Sequence, residues 1–265
     1  MNTTSSVLSI LLRYINNSFV KDSNYDIAEA MVKNYFKIPN MTINDLAEVC
    51  YVSPASISRF IRILGFGKFS EFKEVCANTY DINTDYSNLV IDANENEIKN
   101  IFEKYTNTVI DNIQATLDNI NYEQFDRISS MIHDGDDVIV LGLEFASLLG
   151  QHFQGRMALM KKQVKVPMSF EEQLEVAKQT NSSSVVFIAS IEGGYFYRNS
   201  KIIQELEKNN AKIIVLTLND HTKLVKKATE IVKCAKINDN TEGRISLLYS
   251  LELIIMNYCI KYNNK

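Results

Sequence analysis

The chain is expected to be multi-domain, with an all-α N-terminal domain followed by a three-layer α/β domain built on a parallel five-stranded sheet. Three observations carry this expectation. Apolar residues in the first 77 positions recur at helical spacing. A polar, Asn- and Asp-rich stretch, NTYDINTDYSNLVIDANEN, interrupts that pattern from Asn78 to Asn96. From Asp137 onward, short Val/Ile runs alternate with helical patterns, as expected of strands buried on both faces of a parallel sheet. The boundaries therefore fall at 1–77, 78–97 for a linker, and 98–265.

The elements follow in order. Val7, Ile10, Leu11, Tyr14 and Ile15 give the first helix an apolar stripe. Ile43, Leu46, Ala47 and Val49 do the same for a short helix. Val52 follows in a turn, and Ile57, Phe60, Ile61 and Leu64 then stand at i, i+3, i+4 and i+7 of another helix. Thr42 is placed as an N-cap, with Asp45 in the capping-box position. Ser53 is a second N-cap and Pro54 falls at the first helical position, where its missing N–H costs nothing. Gly65 ends that helix. Tyr51 occupies the turn position where glycine is common, so a non-glycine residue at positive φ is expected there.

Two short helices joined by a tight turn make a helix-turn-helix. The outer face of the second helix carries Ala55, Ser56, Arg59 and Arg62, the small, polar and cationic mixture that reading a DNA groove requires. The expected DNA-contacting set is Ser53, Pro54, Ala55, Ser56, Ser58, Arg59 and Arg62; Ser58 fits an inward position equally well. The whole chain has a net charge of −4. Residues 1–80 hold eight Lys/Arg and seven Asp/Glu, a balance of +1. A nearly neutral domain is a weak non-specific DNA binder, whereas two held side by side gain by effective concentration. The charge therefore points to a homodimer, or a higher homo-oligomer, on a pseudo-palindromic double-stranded DNA operator.

The stretch LAEVCYVSPASISRFIRILGFGKFSEFK resembles the N-terminal domain of RpiR-type bacterial transcriptional regulators, and LGFGKFSEFK is its most distinctive part. The resemblance implies a second, sugar isomerase (SIS) domain that senses a sugar phosphate.

The remaining chain matches that layout. Ile98, Ile101, Phe102, Tyr105, Val109, Ile113 and Leu117 mark a leading helix over 98–120 that packs on the second domain or on a partner subunit. Strands are expected at Asp137–Gly142, Gln163–Val166, Ser184–Ala189, Lys212–Thr217 and Glu230–Ala235. Helices are expected at Ser147–Met160, Phe170–Gln179, Asn199–Asn209, Leu224–Ala228 and Gly243–Tyr262.

In such sheets ligands bind beyond the carboxyl ends of the strands. The loops there give the candidate ligand set: Glu144, Ser147, Ser190, Glu192, Gly193, Tyr195 and Thr217, with Arg198 nearby. The strand order and the LTLND turn resemble the sugar isomerase domain. The usual first loop of that domain is glycine-x-glycine-x-serine. Here Gly142 is retained, Glu144 stands at the second glycine and Ala146 at the serine. The usual second loop is serine-x-serine-glycine-x-threonine. Here Ser190 and Gly193 are retained, Glu192 replaces the second serine and Tyr195 the threonine. A carboxylate beside a phosphate is repelled by it and competes for the same donors. Three roles stay open for the domain: a dimerisation scaffold, a sensor of a neutral or amino sugar, or a phosphosugar sensor.

Other classes are expected to be absent. Cys50, Cys76, Cys234 and Cys259, and His133, His152 and His221, are scattered without metal-ligand spacing, so neither metal nor cofactor is expected. An isomerase or lyase would need a general acid or base; Glu144, Glu192 and His221 are available, but no spacing marks them as catalytic, and no enzyme activity is expected. With no run of eighteen apolar residues and no cationic start before the first apolar stretch, neither a membrane span nor a signal peptide is expected, and the location is expected to be cytoplasmic.

Overall fold

The computed structural model describes residues 7–77, 98–142, 144–191, 193–219, 227–234 and 240–263. The 78–97 linker, Leu143, Glu192, Asp220, His221 and most of the helix expected at Leu224–Ala228 lie outside them. The chain divides into two compact units, one carrying residues 7–77 and the other the residues from 98 onward.

The first unit is helical: α1 (Val7–Asn17), α2 (Ser23–Lys33), a 3-10 turn at Tyr35–Asn40, α3 (Ile43–Val49), α4 (Pro54–Ile63) and α5 (Phe69–Ala77). Asp22 caps α2 by accepting from the N–H groups of Asn24 and Tyr25 at 3.0 and 2.9 Å. One core gathers Leu11, Ile27, Met31, Leu46, Ile57, Phe60, Phe66 and Phe72. Tyr14 meets Phe60 edge-on at 5.2 Å, and Phe66 meets Phe72 the same way at 5.3 Å. Burying each such side chain contributes roughly 1.5–3 kcal/mol.

The second unit has three layers. Its order is α6 (Ile98–Asp118), α7 (Tyr122–Asp134), β1 (Val138–Gly142), α8 (Glu144–Leu159), α9 (Phe170–Lys178), β2 (Val185–Ala189), α10 (Gly194–Arg198), α11 (Ser200–Lys208), β3 (Lys212–Thr217), β4 (Glu230–Lys233) and α12 (Asn240–Tyr262). The strands lie in the order β1-β2-β3-β4, all parallel, with Val140 level with Phe187 and Phe187 level with Ile214. Side chains alternate between faces. Val138, Val140, Val185, Phe187, Ile214 and Leu216 pack against α7, α8 and α12. Ile139, Leu141, Val186, Ile188, Ile213 and Val215 pack against α9, α10 and α11.

The described residues form four strands rather than five. Of the expected strand at Gln163–Val166, only Lys165 pairs, as a single parallel bridge to Ile139. Its N–H donates to the Val138 carbonyl at 2.8 Å, and its carbonyl accepts from the Val140 N–H at 2.9 Å. Lys161, at φ 60, turns the chain just before this segment. Pro167, which has no N–H to donate, stops the ladder just after it.

α7 follows α6 after three residues, with Asn121 accepting from the Gln124 N–H at 3.0 Å as its cap. The helix expected at Asn199–Asn209 begins earlier, as α10 and α11 with Asn199 between them. α6 packs on α12. Its fully buried positions are polar: Asn112, and Thr116, whose hydroxyl donates to the Cys234 carbonyl at 2.7 Å. Phe102, Ile110 and Leu117 are exposed instead. At the sheet edge, Arg127 of α7 grips Glu230 of β4 through two hydrogen bonds of 2.6 and 3.2 Å.

Candidate nucleic-acid interface and effector loops

The helix-turn-helix is fixed by local chemistry. Thr42 and Asp45 form the reciprocal capping box, with bonds of 2.8 and 3.2 Å. The two backbone N–H groups past α3 bond back into it: Tyr51 N–H to the Glu48 carbonyl at 3.0 Å and Val52 N–H to the Ala47 carbonyl at 2.9 Å. This is a Schellman ending, and it requires its turning residue to be left-handed. Tyr51 takes that position at φ 55, with its ring almost wholly in solvent. α4 ends the same way, through Gly65 at φ 94 and a bond from the Phe66 N–H to the Ile61 carbonyl at 2.9 Å.

α4 presents two faces. Ile57, Phe60 and Ile61 are buried. Ser53, Pro54, Ala55, Arg59 and Arg62 are exposed, Ser56 is half-buried, and Ser58 is half-buried at the border between the faces. The Ser53 hydroxyl accepts from the Ser56 N–H at 3.2 Å and lies 3.0 Å from the Ser56 hydroxyl. Arg59 donates from Nη2 to the Ser56 hydroxyl at 3.2 Å, which aims the guanidinium along the outer face. Ile63 stands one turn beyond Arg59 and is 58% exposed on that face. In sequence it reads as one more core residue among its apolar neighbours.

The effector loops gather at the carboxyl edge of the sheet, where Gly142, Ala189 and Thr217 end their strands. A Cβ on Gly142 would stand 2.1 Å from that of Ala146, so only glycine lets α8 begin so close to β1. Glu144 opens α8 and is exposed; Ser147 is half-buried one turn on. Among the candidate residues, Ser190 is joined directly to Tyr195. The Ser190 hydroxyl accepts from the Tyr195 N–H at 3.2 Å, across a turn in which Gly193 has φ 75. Thr217 is fully buried; its hydroxyl donates toward the Ile191 carbonyl at 3.1 Å and accepts from the Asn219 N–H at 3.1 Å. Arg198 is exposed.

Tyr195 is packed in the core. It is 1% exposed, its ring lies among the side chains under α9 to α11, and burial pushes its phenol far above the usual range. Its hydroxyl donates to Gln173 Oε1 at 2.6 Å. Gln173 Nε2 in turn donates to the Gly142 carbonyl at 3.0 Å and toward that of Pro167 at 3.2 Å. Gln173 therefore links the loop after β1 to the helix after β2. Its spacing from either loop gave no signal in the sequence.

Residues 10–81 match the model of the rpiR family of helix-turn-helix domains. The N-terminal domain is an RpiR-type helix-turn-helix domain. An uncharacterized HTH-type transcriptional regulator of Haemophilus influenzae is 22% identical over 84% of this chain and 77% of its own length. The second domain is sugar-isomerase-like in fold. A solved structure of the Vibrio vulnificus NanR protein complexed with ManNAc-6P superposes over 96% of this chain and 92% of that one, at TM-score 0.56 and 17% identity. The sugar isomerase domain of an RpiR transcription factor from Sphaerobacter thermophilus covers 61% of this chain and 90% of its own, at TM-score 0.52 and 14% identity. None of the described helices of this chain is long and apolar enough to cross a membrane.

Proposed function

We propose that this regulator binds a pseudo-palindromic operator as a homodimer, reading each half-site with Ser53, Pro54, Ala55, Ser56, Ser58, Arg59 and Arg62, and that a sugar-derived effector at the second domain controls it. The observation that carries the DNA reading is α4 itself. Ile57, Phe60 and Ile61 are buried in the core, and the outer face is small, polar and cationic apart from Ile63, with Arg59 held along it. Each half-site would lie about one helical turn from the next, ~34 Å, or a multiple of it. Fluorescence anisotropy on DNA from upstream of its own coding region tests this. Salt-sensitive binding that is lost in the Arg59→Ala, Arg62→Ala double variant is expected; binding unchanged by the double variant sinks the assignment of the reading face.

The effector reading rests on the loops at the sheet edge and on likeness in fold to a protein complexed with ManNAc-6P. Glu144, Ser147, Ser190, Glu192, Gly193 and Thr217 are the residues offered for it, with Tyr195 supporting these loops from the core through Gln173. The Ser190 and Thr217 hydroxyls already serve the backbone, and Glu144 adds a negative charge at the edge. These features favour an amino sugar or a phosphosugar held away from the Ser190 turn. A thermal-shift panel of sugars, amino sugars and their phosphates tests the reading, because a ligand bound only by the folded state raises the melting temperature. No shift with any of them overturns effector binding. The relatives named as regulators support regulation rather than turnover.

A further inference from the structure

α4 carries one apolar side chain that neither the core nor the caps account for. At about 100° of turn per residue, Ala55, Ser56, Arg59, Arg62 and Ile63 fall within an arc of roughly 120°. Ile57, Phe60 and Ile61 face the other way and are buried, with Leu64 packed against the same core. Within the outer arc Ile63 stands between Ser56 and Arg59, and it is 58% exposed.

A lone exposed isoleucine is ordinary on a protein surface. The surroundings of this one make it informative. Arg59 donates back to the Ser56 hydroxyl, one turn toward the start of the helix, so its guanidinium is drawn away from Ile63. The exposed face around Ile63 is otherwise alanine, serine and arginine. An apolar protein partner suits that face poorly. A specific protein contact needs several apolar side chains together and on the order of 1,000 Å². α4 offers one isoleucine rimmed by two cations, and the cations suit a polyanion. In the major groove of duplex DNA a single apolar side chain has a single apolar counterpart. That counterpart is the C5-methyl group of thymine, set among hydrogen-bonding base edges. An isoleucine among hydrogen-bond donors matches that pattern. The spacing also fits. Four residues of helix rise about 6 Å, and bases stack about every 3.4 Å. With α4 lying along the groove, Ile63 and Arg59 therefore stand over neighbouring base pairs.

We propose that Ile63 is a specificity-determining residue that reads a thymine in each half-site through its C5-methyl group. The inference rests on α4 being the reading helix, and it adds to that helix a contact of a different kind. Arg59 and Arg62 supply hydrogen bonds and charge; Ile63 supplies the apolar discrimination between thymine and the other bases.

Fluorescence anisotropy of the full chain tests it, on a duplex that the chain itself selects from a random pool. Each thymine of the half-site is replaced in turn by deoxyuridine, which keeps the base pair and lacks only the methyl group. Wild type is expected to lose about fourfold in affinity at one such thymine, the worth of one methyl-sized group withdrawn from water. Changing both half-sites together is expected to cost roughly 10- to 20-fold. Ile63→Ala is expected to bind the thymine duplex several-fold more weakly and to be indifferent to that same deoxyuridine, the non-additivity of two groups in contact. Ile63→Val, which keeps the branched Cβ, is expected to retain most of the discrimination. Alanine is a good helix former at this exposed position, so the melting temperature is expected to hold. The deoxyuridine scan of wild type needs no variant and decides by itself if one fails to fold. A selected half-site without thymine, or a scan in which no deoxyuridine weakens wild type, overturns the proposal. So does a deoxyuridine effect that is as large in Ile63→Ala as in wild type, since another residue then holds the methyl group. In each of those cases, loss of binding in the Arg59→Ala, Arg62→Ala double variant leaves α4 standing as the reading helix. A chain that selects no duplex overturns both.

Discussion

The helix-turn-helix and the effector loops are both built from short polar side chains at the ends of regular elements, but they direct those side chains differently. In the first unit the caps Thr42, Asp45 and Ser53 serve the backbone, and Arg59 and Arg62 of the next turns face outward. In the second unit Ser190, Tyr195 and Thr217 also serve the backbone or the core, and the outward residues next to them, Tyr197 and Arg198, sit on the five-residue α10 rather than along a helix face that spans several turns. The difference teaches that a hydroxyl at a strand or helix end is structural by default. A binding face is recognised by the side chains left over once caps and core are satisfied.

The strongest test of this contrast removes the left-over side chains. Arg59→Ala with Arg62→Ala is expected to weaken operator binding about 100-fold or more and to flatten its salt dependence, because each arginine contributes roughly 1–3 kcal/mol through bases or phosphates. Anisotropy titrations at two or more salt concentrations read both effects. Melting temperature is expected to stay within a degree or two, since neither residue is part of the core. A large loss of stability would break the contrast.

The next effect is on the other side of the comparison. Tyr195→Phe keeps the buried ring and removes its hydroxyl, leaving Gln173 Oε1 unpartnered. Such a change costs about 1–3 kcal/mol, read by urea unfolding of the full chain. DNA affinity without effector is expected to be unchanged. If Tyr195→Phe left stability untouched and altered only a sugar response, Tyr195 would belong to the ligand site rather than to the scaffold.

The contrast also explains what the sequence disclosed. The caps at Thr42 and Ser53, the turn at Gly65 and the left-handed Tyr51 were legible because each depends on residues within four positions. The sheet core was legible through its continuous Val/Ile runs. The strand expected at Gln163–Val166 was not, because one bridge or five depends on what Lys161 and Pro167 allow. α7 was obscured by the polar Asn119–Asn121 break that merges it with α6, although Phe125, Ile128 and Ile132 carry the helical spacing. The burial of Tyr195 depends on Gln173, which lies on a different helix.

A smaller effect tests whether the turn residue is strained. Tyr51 holds positive φ with its ring in solvent, so it gains little from packing there. Tyr51→Gly relieves the left-handed cost but loosens the unfolded chain. The net expectation is a gain of up to about 1 kcal/mol, seen as a higher melting temperature. Tyr51→Val is expected to lower it, since a β-branched residue tolerates that φ least. A drop with glycine would mean that the Tyr51 ring makes a contact worth more than the strain.

The smallest effect compares the two units through acid. Asp45 is held below the usual carboxylate range, first by the Thr42 N–H and then by the Thr42 hydroxyl. Burial works to raise the Glu230 carboxyl, but hydrogen bonds from Arg127 and Gln124 outweigh it and hold that group low as well. A carboxyl lowered by folding stabilises the fold above its unfolded pKa, and that stability is lost as pH falls through the folded value. Both units are therefore expected to weaken below about pH 4, the region where free carboxyls titrate. Asp45→Asn is expected to blunt the acid sensitivity of the helical unit alone, and Arg127→Ala that of the α/β unit alone. Each variant's deficit against wild type should be greatest near neutral pH and shrink on acidification, as the wild type loses the same bond. The two substitutions are far apart in sequence and share no partner, so their effects should add. A deficit in either variant that grew as pH fell would mean that its carboxyl is not the group being titrated.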